Sequence, residues 1–133
     1  MATVTKYNAK DCTITVGNVY ITGLGESMIE GAKDEDFFST SVGAQGDVVV
    51  NEINDDLGTI ELTVQSTSPQ KQYLINLGKN RKEVAIWVVN KTLKERFGGT
   101  KARIVKYPDI SEGKEAGERT FTFKVFDYVC ENA

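Results

Sequence analysis

The chain has 133 residues, of which 40% are hydrophobic and 26% are charged, and its formal net charge is −3. This balance predicts a single soluble domain over residues 1–133 with a substantial core. The chain lacks a long apolar run, an apolar signal sequence and any histidine, so we expect no stable membrane association, and the commonest general base and metal ligand are missing.

The chain begins with strands joined by turns. Residues 1–10 are polar and predict a loose N-terminal arm. Alternating apolar and polar side chains over residues 12–21, with Gly17-Asn18 in the middle, predict a tight hairpin. Residues 22–36 contain three glycines and an acidic cluster, so we expect a long, loosely held segment there with a short strand around residues 27–30.

Two further strands are predicted at residues 37–42 and 47–53, with a glycine-containing turn between them. The clearest pattern is the strict alternation of residues 58–65, which predicts a strand with one buried and one wet side. Its apolar side comprises Ile60, Leu62 and Val64. Its polar side comprises Thr59, Glu61, Thr63 and Gln65.

A helix is expected directly after this strand. Ser68 can accept a hydrogen bond from a free backbone N–H at the helix start, and Pro69 suits the first helical position. Tyr73, Leu74 and Leu77 then fall on one side of the helix. We expect this helix to form a lid over the core and to end at the glycine that follows Leu77.

The rest of the chain predicts mostly strands. Residues 84–89 predict a strand buried on both faces or nearly so, residues 91–97 a single helical turn, and residues 100–107 another strand. The last strand, residues 119–129, has two aromatic residues on its outward side, where the same chain or a neighbouring molecule would cover them. The pattern as a whole predicts a mainly β fold: two packed antiparallel sheets, as a sandwich or flattened barrel, with one flanking α-helix.

Charge is distributed unevenly along the chain. Residues 1–70 carry 3 basic and 11 acidic side chains, residues 71–106 carry 10 and 2, and residues 107–133 carry 3 and 6. These differences can arise by chance among solvated faces, or they can form one acidic and one basic pole suited to head-to-tail contacts between copies. The candidate contact residues are Asp34, Glu35, Asp36, Lys91, Lys94 and Arg96.

No grouping of residues predicts a catalytic, cofactor or metal site. The serines have no histidine to activate them. Cys12 and Cys130 are too few to form a metal cluster, and both are expected to be reduced thiols. The glycines at positions 23 and 25 are not followed by the lysine of a phosphate loop. We therefore predict that the protein is not an enzyme and needs no cofactor.

Five short motifs occur in an order that resembles a known family. They are D-E-D-F at 34–37, V-G-A-Q-G-D-V at 42–48, G-T-I-E-L-T-V at 58–64, T-S-P at 67–69 and G-K-E-A-G-E-R-T-F-T-F at 113–123. Over residues 11–128 the chain resembles the tail tube proteins of contractile-tailed phages and phage-tail-like bacteriocins. It departs from that family at Phe121, where a tryptophan is expected, and in the richer basic content of residues 79–106.

The resemblance implies a fold similar to the type VI secretion tube protein and a structural, self-assembling role. It implies hexameric rings stacked around a hollow channel for DNA or effector passage, with one sheet of each copy continuing into the next. The implied partners are further copies of the chain, a surrounding sheath protein, and baseplate and terminator proteins, with DNA only as passing cargo. The subunit would be made in a bacterial host cytoplasm and reside in a virion or phage-tail-like particle.

Within this interpretation, the polar side of residues 58–65 lines the channel, whereas the alternative is that it forms outer surface. We expect the acidic strands with Asp47 and Glu52 beside it, and the basic residues 79–106 facing outward or toward the next ring. Two other functions suit the length and strand content: a small-ligand β-barrel carrier and a β-sandwich decoration module. A carrier would stay monomeric, a decoration module would form at most a small closed oligomer, and a tube protein would form rings or filaments. The late position of the helix counts against the carrier.

Overall fold

The computed structural model describes residues 2–132 as ten strands, one α-helix and one short 3₁₀ helix; Met1 and Ala133 lie outside the described residues. The strands are β1 Cys12–Val16, β2 Val19–Tyr20, β3 Leu24–Lys33, β4 Phe38–Val42, β5 Val48–Glu52, β6 Gly58–Gln65, β7 Val84–Asn90, β8 Glu95–Ile104, β9 Glu118–Val125 and β10 Val129–Asn132. The helices are the 3₁₀ helix Ala9–Asp11 and the α-helix α1, Lys71–Lys79. Residues 2–8 have no regular structure and are exposed.

Eight of the strands form one antiparallel sheet in the order β2-β1-β7-β8-β9-β6-β3, with β10 paired to β8 beside that path. Strands β4 and β5 form a separate two-stranded sheet. Strand β8 joins the two halves of the large sheet, which are β2-β1-β7 and β9-β6-β3. It pairs with β7 on one side, and on the other side with β10 as far as Gly98 and with β9 from Ala102 onward. The outermost strands β2 and β3 do not pair with each other, so the described residues form no closed barrel.

Side chains from both halves of the large sheet meet in one core. One half supplies Ile14, Val16, Ile86 and Val88, and the other supplies Ile60, Leu62, Val64, Phe121, Phe123 and Val125. Along β6 the burial alternates at every residue, as its sequence predicts. The prediction of a mainly β fold with two antiparallel sheets and one helix is confirmed.

Helix α1 covers part of this core. Leu74 is fully buried and Leu77 is 6% exposed. The Tyr73 hydroxyl donates a hydrogen bond of 3.0 Å to the Val16 carbonyl, which ties the helix to β1. Burial raises the pKa of Tyr73, so this hydroxyl stays protonated near neutral pH and remains a donor.

The helix begins later than its sequence predicts. The Ser68 hydroxyl donates to the Thr22 carbonyl at 2.7 Å, and its contact with the Gln70 N–H is long, at 3.4 Å. Ser68 therefore fastens the chain to the segment before β3 instead of capping a helix, and Pro69 lies in a turn before the first helical residue, Lys71.

The helix also continues past the glycine at which its sequence predicts the end. Gly78 lies inside the helix, where an added Cβ would come within 3.2 Å of the Ile104 side chain. The left-handed conformation predicted for this glycine is adopted by Arg81, with φ of +52°. Gly78 is thus used for close packing and not for backbone freedom.

Residues 22–36 are more ordered than predicted, because strand β3 pairs with β6. The register shifts once, between Leu24 and Ile29. A Cβ on Gly31 would lie 2.6 Å from the Phe97 ring, so this glycine admits a neighbouring side chain. The predicted looseness was inferred from glycine content, which does not distinguish flexibility from close contact.

One further prediction is wrong in local detail. Residues 91–94 form a turn, but β8 starts at Glu95, so residues 91–97 are not a helical turn. Pairing of β8 with β7 across this turn decides the outcome. In residues 84–89, Ile86 and Val88 are buried and the other side chains are half-buried, so this strand is close to the predicted burial on both faces.

The predicted last strand is broken into β9 and β10. The chain turns after Val125, and this turn brings Tyr128 over Gly58 and beside Phe97, with ring centroids 6.4 Å apart. The same chain therefore covers Tyr128, one of the two aromatic residues expected to face outward. The other, Phe126, is 41% exposed.

Candidate assembly surfaces

The described residues contain no set of three or more His, Cys, Asp or Glu side chains positioned to hold a metal. The same part of the chain has no helix with the length and apolarity of a bilayer crossing. Cys12 and Cys130 are both free thiols. Burial raises the pKa of Cys12, which makes its thiol less nucleophilic at neutral pH. Three surfaces of the subunit are candidates for contact with other molecules.

The first surface is the β4–β5 hairpin. It extends beyond the end of the β3–β6 pair, because Lys33 pairs with Gly58 and the Ile53 N–H then donates to the Phe37 carbonyl. Every residue of β4 and β5 is exposed. The hairpin therefore projects from the body of the subunit.

The two faces of this hairpin differ. The register places Ser39, Ser41, Val49 and Asn51 on one face, and Phe38, Thr40, Val42, Val48, Val50 and Glu52 on the other. We call Phe38, Val42, Val48 and Val50 the apolar hairpin face; these side chains are 53–67% exposed. Because a lone two-stranded hairpin is at best marginally stable in water, this face needs a partner surface.

The hairpin and its flanks are strongly acidic. Residues 34–56 contain seven acidic and no basic side chains. Asp34 is held within the chain by the Lys124 ammonium and by the Thr59 hydroxyl at 2.7 Å. Glu35 and Asp36 are exposed beside the hairpin base. Of the three predicted acidic contact residues, these two keep their carboxylates free of side-chain ion pairs within residues 2–132.

The three predicted basic contact residues are also unequal. Lys91 and Lys94 are exposed in the turn between β7 and β8. Arg96 lies on β8, where its guanidinium is 4.4 Å from the Trp87 ring centre and forms an ion pair with Glu131. Arg96 therefore holds β10 and β7 together at the subunit surface, which leaves Lys91 and Lys94 as the candidates for contact with another copy.

The second surface is the outer side of β3, β6 and β9. Glu61 lies between Glu30 of β3 and Thr122 of β9. The hydroxyls of Thr63 and Thr120 are 3.1 Å apart. We call this surface the polar face: Glu30, Thr59, Glu61, Thr63, Gln65, Glu118, Thr120, Thr122 and Lys124.

The polar face corrects the expected neighbours of β6. Asp47 and Glu52 were expected beside this strand, but they lie at the projecting hairpin, since β3 and β9 flank β6. Arg103 pairs with Lys124 at the edge of the polar face, so the basic segment is not wholly separate from it. Glu30 directly opposite Glu61 is a like-charge pair, which costs stability in the subunit.

The third surface was missed at the sequence level. A cleft of about 260 Å³ is lined by Gly78, Lys79, Arg81, Val105, Lys106 and Tyr107. Val105 and Tyr107 are 59% and 58% exposed. The alternation of residues 100–107 predicted a strand there, but it did not show that its end stays open beside the helix terminus.

Comparison with known proteins was made by sequence and by structure. No family model matches the chain, and no curated protein matches its sequence. The anti-feeding prophage cap (the tube terminating cap) superposes with a TM-score of 0.66 and 11% identity over 100% of this chain and 95% of that chain. The chain has a tail tube-like fold.

Two solved structures of an extracellular contractile injection system are also similar. A chain from the PVC sheath–tube complex in the extended state has a TM-score of 0.65 and 9% identity, covering 96% of this chain and 93% of its own. A chain from the PVC sheath/tube terminator has a TM-score of 0.58 and 10% identity, covering 98% and 99%. The fold implied by the sequence resemblance is therefore confirmed.

Proposed function

We propose that this protein is a structural subunit that self-assembles into the tube of a contractile tail or injection particle. The observation that carries the proposal is the uncovered apolar hairpin face. No residue of the hairpin belongs to the core of the described subunit, so this projecting apolar surface is not explained by the subunit's own folding. Contact with a further copy would cover it.

The open sheet edge gives a second reason for assembly. Within residues 2–132, strand β3 ends the large sheet and pairs only with β6. An unpaired edge of this length invites pairing with another chain unless assembly controls it. Hexameric rings, in which the sheet of one copy continues into the next, would use that edge and are part of the proposal.

We assign the polar face, including Thr59, Glu61, Thr63 and Gln65, to the channel wall. Its threonines and its facing Glu30 and Glu61 would repel or ignore a polyanion, whereas a basic wall would bind phosphates. The cargo would be DNA or an effector that passes without being held. The Glu30–Glu61 pair destabilises the single subunit, but in such a channel its negative charge would keep DNA from binding to the wall.

The proposed partners follow from the structural neighbours. One neighbour comes from a sheath–tube complex and another from a sheath/tube terminator. We therefore propose a surrounding sheath protein, with terminator and baseplate proteins at the tube ends. The proposed location is the tail of a virion or phage-tail-like particle assembled in a bacterial host.

Negative-stain microscopy of the purified protein tests the proposal. We expect rings or tubes from the wild type. Val48→Thr/Val50→Thr should reduce them strongly, because both changes make the apolar hairpin face polar while keeping side-chain shape and β preference. The matched control is Val49→Thr on the opposite hairpin face, which should assemble normally.

The same micrographs distinguish the alternatives. A wild-type protein that stays monomeric at every concentration would contradict the proposal and favour a carrier, although Phe121 and Phe123 fill the interior where a ligand cavity would lie. Small closed oligomers of fixed size would favour a decoration module instead.

A further inference from the structure

We infer that the cleft between Lys79 and Tyr107 is the acceptor for the β4–β5 hairpin of the next copy. This inference rests on the proposed self-assembly and adds the partner surface on which the hairpin docks. The sequence resemblance implies stacked copies but assigns no role to these residues.

The composition of the cleft matches the hairpin. Lys79, Arg81 and Lys106 supply three cations, and Val105 and Tyr107 supply exposed apolar area. No salt bridge within residues 2–132 uses any of the three cations. The hairpin carries the complement: an apolar face beside Asp47 and Glu52, with no basic residue over residues 34–56. Apolar contact would supply affinity and opposite charge would supply register.

The cleft has a volume of about 260 Å³, just under the roughly 300 Å³ at which small-ligand sites begin. The residues that line the cleft include no carboxylate to oppose an acidic partner, and its Lys106 also lines a neighbouring pocket with Glu61, Asp109 and Glu118.

The direction of the strands requires a second copy. The hairpin leaves the body where Gly58 pairs with Val125. The cleft lies the other way along the same sheet, because the Val105 N–H donates to the Thr122 carbonyl and the chain then continues to Tyr107. A hairpin pointing away from its own cleft can fill only that of another molecule. Such a head-to-tail contact does not close on a pair and can propagate.

The backbone of Arg81 supports a role for its side chain. Arg81 has φ of +52° at the helix end, a conformation in which glycine carries no steric cost and a larger residue does. The arginine is therefore unfavourable for the fold of the single subunit. A function in the cleft accounts for its presence.

Charge exchange tests the inference. Lys79→Glu/Lys106→Glu should raise the protein concentration needed for tube formation on the order of tenfold or more, because it opposes the acidic hairpin. Lys10→Glu/Lys101→Glu makes the same charge change at exposed positions outside the cleft and should have little effect. Adding Asp47→Lys/Glu52→Lys to the cleft variant should restore assembly.

A second variant separates folding from docking. Arg81→Gly should raise the urea midpoint of the isolated subunit, since it removes the backbone cost, and still weaken assembly. Light scattering against concentration and urea denaturation measure the two effects. Normal assembly of both cleft variants, or no rescue by charge exchange, would overturn the docking site while wild-type tubes still supported the proposed function. Absence of wild-type tubes would instead refute the proposed function.

Discussion

At the scale of single residues, close contacts explain several of the glycines. Gly58 starts β6 directly beneath Tyr128, and an added Cβ would lie 2.4 Å from the Tyr128 ring. Tyr128 also donates its backbone N–H to the Asp56 carbonyl at 2.8 Å. The turn between β9 and β10 is thus fastened to the start of the central strand.

We predict that Gly58→Ala destabilises the subunit by about 1–3 kcal/mol, because the Tyr128 ring must move away from its position. The control is Gly113→Ala, where an added Cβ meets nothing within 4 Å. Urea denaturation of both variants measures the difference. An equal effect at the two positions would show that Tyr128 packs loosely.

The charged side chain of Asp127 holds the same turn to strand β8. Its carboxylate accepts hydrogen bonds from the Thr100 and Lys101 N–H groups and from the Thr100 hydroxyl. Burial raises the pKa of Asp127, but hydrogen bonds from the Thr100 side chain and from the Lys101 and Thr100 backbone outweigh that effect, so the pKa lies below its ordinary value.

A lowered pKa stabilises the fold above the unfolded-state value of about 4 and loses that contribution as the pH falls through the folded-state value. We therefore predict that Asp127→Asn lowers stability at pH 7 by less than about 1 kcal/mol, because solvent screens this accessible carboxylate, and that the difference from wild type shrinks below pH 4. Urea midpoints across this pH range measure it. A difference independent of pH would refute the charge-based explanation.

At the scale of elements, the helix and the hairpin make opposite contributions. Helix α1 contributes buried leucines to the core, whereas the hairpin contributes nothing to it. The subunit therefore contains one element needed for its own stability and one that its core does not require.

Leu74→Ala should destabilise the subunit by about 2–5 kcal/mol, because it leaves a cavity beneath the helix. Gln72→Ala, on the exposed side of the same helix, should cost far less and serves as the control. Denaturant melts compare them. A small loss at Leu74 would show that the helix lies loosely on the surface.

Hydrogen exchange should distinguish the hairpin from the central strand. Residues 38–52 should exchange rapidly in the isolated subunit and become protected on assembly, since only a second copy covers them. Residues 58–65 should be protected in both states. Equal hairpin protection before and after assembly would argue against a role in contacts between copies.

At the scale of the whole molecule, charge is sorted by surface. The projecting hairpin is acidic, the cleft is basic, and the polar face carries a pair of facing glutamates. The cleft holds three of the ten basic side chains of residues 71–106, and residues 34–56 hold seven of the eleven acidic side chains of residues 1–70.

The polar face makes a testable prediction for assembled tubes. Glu30→Lys/Glu61→Lys should make tubes retain a short DNA, with binding that falls steeply as salt rises. If this face lines the channel, the retained DNA should resist nuclease. Glu95→Lys/Glu115→Lys makes the same charge change elsewhere and should protect no DNA. Nuclease-sensitive DNA on the Glu30/Glu61 variant would place the polar face on the outside.

The sequence by itself determined the parts of this protein that depend on neighbouring residues. The alternation of residues 58–65 was sufficient to predict which side chains of β6 enter the core, and Gly17-Asn18 predicted the first hairpin. The same local patterns were sufficient to predict Leu74 and Leu77 as the apolar side of the helix. Each of these patterns acts over a few residues, so the local sequence contains the whole signal.

Only the tertiary structure decided features that depend on residues far apart in the chain. Ser68 lies before the helix, where its hydroxyl donates to the Thr22 carbonyl, and Tyr128 turns inward because Gly58 makes room for its ring. The sequences of β4 and β5 predict ordinary strands, yet neither strand contributes a residue to the core. The polar face and the basic cleft arise in the same way. Each brings together side chains that are far apart in the sequence, so local sequence patterns could not predict that they are neighbours.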